Sequence, residues 1–175
     1  RKRIRTGLGA TFSVQPGVQI KRYDALVIPG LGLSTAEEID RFFAGRSSRA
    51  VVDWLETVGR RCPLIGASCS AVFLLAAAGL LVNRSATTTW WLGSVFRDRY
   101  PDVELDETRM VVETEGVLCA GAALAQIDLM LHLIARAASP DLSRDVARFL
   151  AIDERPSQAR YMMLSAIAGL GKDVS

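Results

Sequence analysis

Cys69 is the residue in this chain whose type and setting point to covalent chemistry. It follows the apolar run Pro63-Leu64-Ile65-Gly66-Ala67 within a polar Ser68-Cys69-Ser70 step, and a helix-forming run from Ala71 to Ala78 follows, stopped at Gly79. That order predicts a buried strand, a tight turn and a buried helix, with the thiol in the turn. Unpaired N–H groups at the start of a helix favour negative charge beside them. A nucleophile elbow is built this way. Two readings of Cys69 stay open: a functional thiol, or a small residue kept at a tight turn.

A thiol catalyst needs a base or cation beside it, usually histidine. The chain has one, His132, inside a helical run and four residues after Asp128, so the spacing predicts a surface pair and a packing role. A serine elbow at Ser68 would require a later acid and histidine, and glycine where Ser70 stands. Trp90-Trp91 has the apolar area to wall a ligand pocket, or to pack a core. No metal-ligand spacing or phosphate-binding glycine loop is present, so neither metal nor cofactor is expected.

The totals bound the class. With 175 residues, 50% of them hydrophobic and 23% charged, the chain can bury one real core. A net charge of +2 selects no partner, and Arg1, Lys2, Arg3 and Arg5 read as a solvated chain end. Cys62, Cys69 and Cys119 form no C-x-x-C pair and no zinc pattern, which favours a reducing, cytoplasmic setting. The longest apolar run, Ala71 to Val82, is shorter than the roughly 18 residues needed to span a bilayer, so no membrane partner is expected.

The elements that must position Cys69 read as follows. Residues 1–10 open no clear element; Thr11–Val14 and Val18–Ile20 flank a Gln-Pro-Gly turn as two short strands. Tyr23–Ile28 is a strand ending in Pro29-Gly30, and the loop Gly30-Leu31-Gly32-Leu33 can approach a ligand closely. Ser34 or Thr35 caps a helix from Ala36, and Ser48–Arg60 forms a second helix. After Gly79, Ala86–Trp91 reads as a strand leading to a helix that ends at Tyr100-Pro101. Val103–Leu105 and Met110–Glu113 read as a peripheral hairpin, and Val117–Gly121 as a buried strand with Cys119 in the core. Ala122–Ala137 is a long helix with Leu124, Ile127, Leu131 and Ile134 on one face and Leu129 and Leu133 on another, the second being a candidate dimer stripe. Ser139-Pro140-Asp141 opens a last helix with Leu142, Val146, Phe149 and Leu150 inward. The polar residues from Ile152 onward read as a connection. Apolar strands joined through helices specify a mostly parallel sheet covered on both faces.

Cys69 to Leu81, Ala86-Thr87-Thr88-Thr89-Trp90, Tyr100-Pro101, Gly121, Asp128-Leu129 and Ser157-Gln158-Ala159-Arg160 together resemble the amidotransferase-like (PfpI-type) sensor domain of AraC-family transcriptional regulators. The resemblance runs from Tyr23 to Met163. It implies a flavodoxin-like three-layer α/β sandwich of the class I glutamine amidotransferase type, serving as a regulatory, dimerising domain over residues 1–151. It also implies that 152–175 is a tail and linker toward a C-terminal helix-turn-helix domain outside this chain, and that the family's first strand and helix are missing before Arg1.

Three departures bear on mechanism. Thr89 stands where family members commonly carry histidine, and threonine cannot act as a base at neutral pH. Ala71 replaces a frequent glycine, and Pro29-Gly30-Leu31 replaces Pro-Gly-Gly. The resemblance therefore implies an effector pocket formed by Gly30, Leu31, Ser70, Thr89 and Trp90 around a vestigial candidate nucleophile, Cys69. The expected partners are a small-molecule effector, DNA through the absent domain, and a second copy in a homodimer. The alternatives are a PfpI-superfamily hydratase, amidase or peptidase using Cys69, or a redox sensor through Cys69 sulfenic acid.

Overall fold

A computed structural model describes residues 2–6, 9–14 and 24–162. Its first element is a hairpin, β1 (Lys2–Arg5) antiparallel to β2 (Thr11–Val14). The basic segment expected to open no element is thus a strand, because its one apolar residue, Ile4, lies directly across from Phe12. Such cross-strand apolar pairs hold short ribbons together. The strand expected at Val18–Ile20 lies outside the described residues.

β3 (Leu26–Ile28) leads through the loop at Gly30 to α1 (Ala36–Phe43) and α2 (Arg46–Gly59). Of the two possible caps it is Thr35 that starts α1: its Oγ1 accepts the Glu38 N–H at 3.2 Å, and Glu38 Oε2 accepts the Thr35 N–H at 3.3 Å. This reciprocal capping box fixes where the loop ends. β4 (Ile65–Ser68) passes through a 3₁₀ turn at Cys69–Ala71 into α3 (Val72–Ala77), which ends before Gly79 at φ 67°. β5 (Ser85–Ala86) and α4 (Gly93–Arg99) follow, then β6 (Glu104–Leu105), β7 (Val111–Thr114) and β8 (Val117–Ala120). α5 (Ala125–Ala137) and α6 (Pro140–Phe149) complete the helices.

The central sheet has the order β3-β4-β8-β7, with the first three parallel and β7 antiparallel at the edge. Its period of two divides the core. Ile65, Ala67, Val117 and Cys119 face a cluster with Ile39, Leu55 and Phe73, whereas Leu118 and Ala120 face Ala125, Leu129 and Leu133. Helices cover both faces, so the chain is a three-layer α/β sandwich with a mostly parallel sheet. Edge-on contacts of Phe73 with Phe96 (4.9 Å) and Tyr100 (6.1 Å) join α3 to α4.

Four local expectations are corrected. The hairpin expected at 103–113 does not form, since β6 pairs in parallel with β5 and β7 pairs with β8. The hairpin turn is instead Glu115-Gly116, with φ of 50° and 79°, the left-handed pair that a two-residue turn requires. Leu129 and Leu133 form no exposed dimer stripe. They are buried against the sheet, while Leu124 and Met130 are exposed. On α6, Leu142, Phe149 and Leu150 point outward, Phe149 at 89% exposure. Only Val146 of the four expected inward residues is half-buried. Finally, His132 does not pair with Asp128: its Nε2 lies 2.7 Å from Glu113 Oε2 on β7, and Arg136 Nε donates to Glu113 Oε1 at 3.3 Å.

That cluster makes a pH-dependent tie between β7 and α5. The His132 hydrogen bond, then Arg136, hold the Glu113 carboxyl below its ordinary value of 4.5. A lowered carboxyl pKa adds stability above the unfolded value that is lost as pH falls through the folded one. Glu113→Gln is therefore expected to unfold at lower denaturant than the parent at pH 7. The gap between the two should narrow steadily as titrations are carried below pH 4.5; a gap independent of pH would contradict the tie.

Candidate functional site

β4 ends buried, and the chain reverses at once into α3, so one residue must take a left-handed conformation. That residue is Cys69, at φ 53°. A non-glycine residue there costs about 1–2 kcal/mol and persists only where its surroundings hold it. They do so through backbone and hydroxyl groups on either side. The Leu33 N–H donates to Ser70 Oγ at 3.3 Å, the Thr88 hydroxyl donates to the Cys69 carbonyl at 3.0 Å, and the Ser68 hydroxyl donates to Gln126 Oε1 at 2.7 Å. The strand, turn and buried helix expected around Cys69 are all present, although α3 is short.

Gly30 comes against the thiol. A Cβ built on it would lie 3.3 Å from Cys69 Cβ and 3.9 Å from Sγ, so a bare backbone is what leaves room beside the sulfur. Leu31 and Leu33 turn their side chains onto the core on the α1–α3 side. Ser70 and Thr89 are fully buried, and Trp90 is half-buried with its ring edge-on to Trp91 at 5.2 Å. Of the expected residues, Gly30 lies against Cys69 and Ser70 is bonded to the loop after β3; Thr89 is buried one residue beyond Thr88, Trp90 packs edge-on against Trp91, and Leu31 packs on the core.

Sequence reasoning missed the burial of Gln158 beside the Thr87–Thr89 segment. Residues 155–158, expected as part of a tail, strap across the domain. Gln158 has no exposed surface, and its Nε2 donates to Thr87 Oγ1 at 3.2 Å and to the Thr88 carbonyl at 3.0 Å. Thr87 in turn donates to the Arg109 carbonyl at 3.0 Å. Arg155 holds the strap from the other side, donating to both oxygens of Asp128 (2.5 and 3.2 Å) and to the Leu124 carbonyl at 3.1 Å. The sequence signal was that Gly121 and Ser157-Gln158 both belong to the motifs of the family resemblance; in the structure a Cβ on Gly121 would overlap the Gln158 amide. Among the described residues, the buried side-chain atoms without a hydrogen-bond partner are Thr89 Oγ1 and Gln158 Oε1. Each such atom costs about 1–3 kcal/mol unless something supplies a partner.

The other reactive candidates are elsewhere. Burial pushes the Cys119 thiol up to about 12, which leaves it a core residue. Half-buried Cys62 donates its S–H to the Leu64 carbonyl at 3.0 Å. His132 is committed to Glu113, and among the described residues no histidine, lysine or arginine bonds to Cys69 and no acid, histidine and cysteine cluster fits a metal. The described surface also carries a cleft of about 720 Å³ between α5, α6 and residues 152–156, lined by Arg109, His132 and Arg148 among others. It does not include the elbow.

The DJ-1/PfpI family model matches residues 2–136. The chain belongs to the DJ-1/PfpI family. It is 34% identical over 110 residues to the HTH-type transcriptional regulator CdhR of Pseudomonas aeruginosa, an alignment covering 62% of this chain and 32% of that one. It is 31% identical over 104 residues to the HTH-type transcriptional regulator GlxA of Rhizobium meliloti, covering 54% and 32%. The chain thus spans about a third of the length of the curated relatives it matches. An AraC family transcriptional regulator from Pseudomonas putida superposes with a TM-score of 0.60 at 20% identity, over 85% of this chain and 75% of that one. The DJ-1/PfpI fold is flavodoxin-like, in agreement with the sheet described above.

The strained turn predicts an order of stabilities. Cys69→Ala and Cys69→Gly both remove the thiol, but only glycine relieves the left-handed strain, at a smaller cost in unfolded-state entropy. Denaturant titration should find Cys69→Gly more stable than Cys69→Ala by about 1 kcal/mol; the reverse order would mean that the turn is unstrained.

Proposed function

We propose that this chain is the ligand-sensing, dimerising domain of a cytoplasmic AraC-type transcriptional regulator. In it a small molecule in the elbow pocket shifts the arrangement of DNA-binding units carried on a following domain. The observation that supports this most is the pair of fully buried polar atoms without partners among the described residues, Thr89 Oγ1 and Gln158 Oε1, close to an elbow whose thiol is bonded to no base among those residues. A hydroxyl and an amide oxygen hold a ligand by hydrogen bonds but do not move protons at neutral pH. The kinship with helix-turn-helix regulators supports the same direction. Regulation requires the ligand to prefer one arrangement of the whole protein over the other.

The family's enzymatic members favour a second reading, in which Cys69 attacks a carbonyl or similar electrophile. Thr89 at the position the resemblance assigns to histidine weighs against it, because an alcohol cannot activate the thiol.

Gly30→Val separates these readings. Gly30 has no left-handed φ, so its own backbone accepts valine, whose Cβ would press on Cys69 Cβ at 3.3 Å and whose methyls crowd Sγ. Thermal-shift measurements on the full-length protein with a panel of small amines, carboxylates and aldehydes should find compounds that raise Tm in the parent and not in Gly30→Val. Those compounds should also change retention of operator DNA. Equal shifts in both proteins would place the effector elsewhere, and turnover of a compound by the parent but not by Cys69→Ala would establish the enzyme.

A further inference from the structure

The strap and the elbow meet through one residue. Thr88 gives its hydroxyl to the Cys69 carbonyl and offers its own carbonyl to Gln158 Nε2, each at 3.0 Å. The backbone of the left-handed turn and the strap are therefore two hydrogen bonds apart. The strap also pairs with the segment before β7: the Gln158 N–H donates to the Thr108 carbonyl at 2.8 Å, and the Met110 N–H donates to the Pro156 carbonyl at 3.2 Å. Arg160 lies two residues further, in an exposed turn at Ala159–Tyr161. One feature sets this seat apart from ordinary packing. Gln158 is wholly buried, yet its Oε1 lacks a partner and its amide is pressed against Gly121. The uncompensated oxygen opposes the gain from the two Nε2 bonds, so the buried amide contributes less to holding the strap than its two hydrogen bonds alone would.

We infer that Gln158 couples the elbow to the strap. Displacing the Cys69 turn moves Thr88, the Gln158 side chain loses one of its two acceptors, and residues 155–160 loosen; conversely, releasing Gln158 frees the Cys69 turn. The inference rests on the elbow being the ligand pocket, and it supplies the output of that pocket: the strap carries the change toward whatever follows residue 160. Because coupling between two sites is reciprocal, it is measurable from either end without knowing the effector.

The test uses the full-length protein with Cys62→Ser; Cys69 and Cys119 are both buried, so iodoacetamide labelling is read at Cys69 itself by peptide mass mapping. Gln158→Ala removes the seated amide, and Gly121→Ala expels it sterically without altering the strap. Both variants are expected to speed tryptic cleavage between Arg160 and Tyr161 at least tenfold and alkylation of Cys69 at least fivefold. In the Cys62→Ser protein itself, prior carbamidomethylation of Cys69 should speed the same cleavage. Faster cleavage with a Cys69 rate within twofold of the reference would show strap and elbow to be independent, and no change in either rate would show that Gln158 does not hold the strap. Should both variants fail to fold, amide exchange on the carbamidomethylated Cys62→Ser protein decides: the Met110 and Gln158 amides must exchange faster while those of α5 do not, and unchanged protection overturns the coupling. The effector reading stands or falls separately on Gly30→Val, since the probe here is the alkylating agent.

Discussion

The architecture around the candidate site depends on the left-handed turn at Cys69. Strand β4 is buried on both faces, and the helix that follows packs back onto the sheet, so there is no room for a loop in which the backbone could relax. The polar groups of residues 68–70 are consequently buried as well, and each must find a partner within the protein. They find them on three different elements: the loop after β3, the Thr87–Thr89 segment and α5. A turn that is strained and buried thus gathers the surrounding segments, because only their hydrogen bonds hold it in place.

Much of this was legible in the chain. The apolar run before Ser68, the helix formers after it and Gly79 mark strand, turn and helix by composition alone, and the cap at Thr35 and the Ser139-Pro140 start of α6 follow from side-chain chemistry that acts locally. Failures came where partners are distant in sequence. Val111–Thr114 has the alternation of a strand, but nothing in it says that its partner is β8 rather than Val103–Leu105; only the Glu115-Gly116 turn carried that information. On α5 the helical period identified two apolar faces correctly and assigned the core to the wrong one, since periodicity fixes the angle between faces and not which of them meets the sheet. Gln158 was read as tail because a glutamine after a polar stretch normally is. Its burial depends on the missing side chain at Gly121, on a different element.

The Asp128–Arg155 pair shows what kind of contribution the strap's anchor makes. Burial raises the Asp128 carboxyl above its ordinary value, and Arg155 only partly offsets this. A carboxylate with a raised pKa binds protons more readily folded than unfolded, so on its own account stability falls as pH rises through that range. The pair is therefore weak as a source of net stability. Its bidentate geometry, with a further bond to the Leu124 carbonyl, instead fixes where the strap crosses α5. With Arg155 placed on one side, Gln158 is delivered to Thr87 and Thr88 on the other.

On the proposed reading, the same economy explains why threonine at position 89 suits a sensor. A histidine there would raise the reactivity of a neighbouring thiol and expose any electrophilic ligand to attack, whereas a buried hydroxyl without a partner offers hydrogen-bond energy to a ligand and leaves its covalent structure alone. The energy released when a ligand satisfies Thr89 is gained only in the arrangement where the pocket is formed, and that difference between arrangements is what a regulatory domain needs. An elbow that holds its strained turn by bonds from neighbouring segments passes the difference on to those segments, and Thr88, bonded both to the turn and to Gln158, makes the strap the nearest of them.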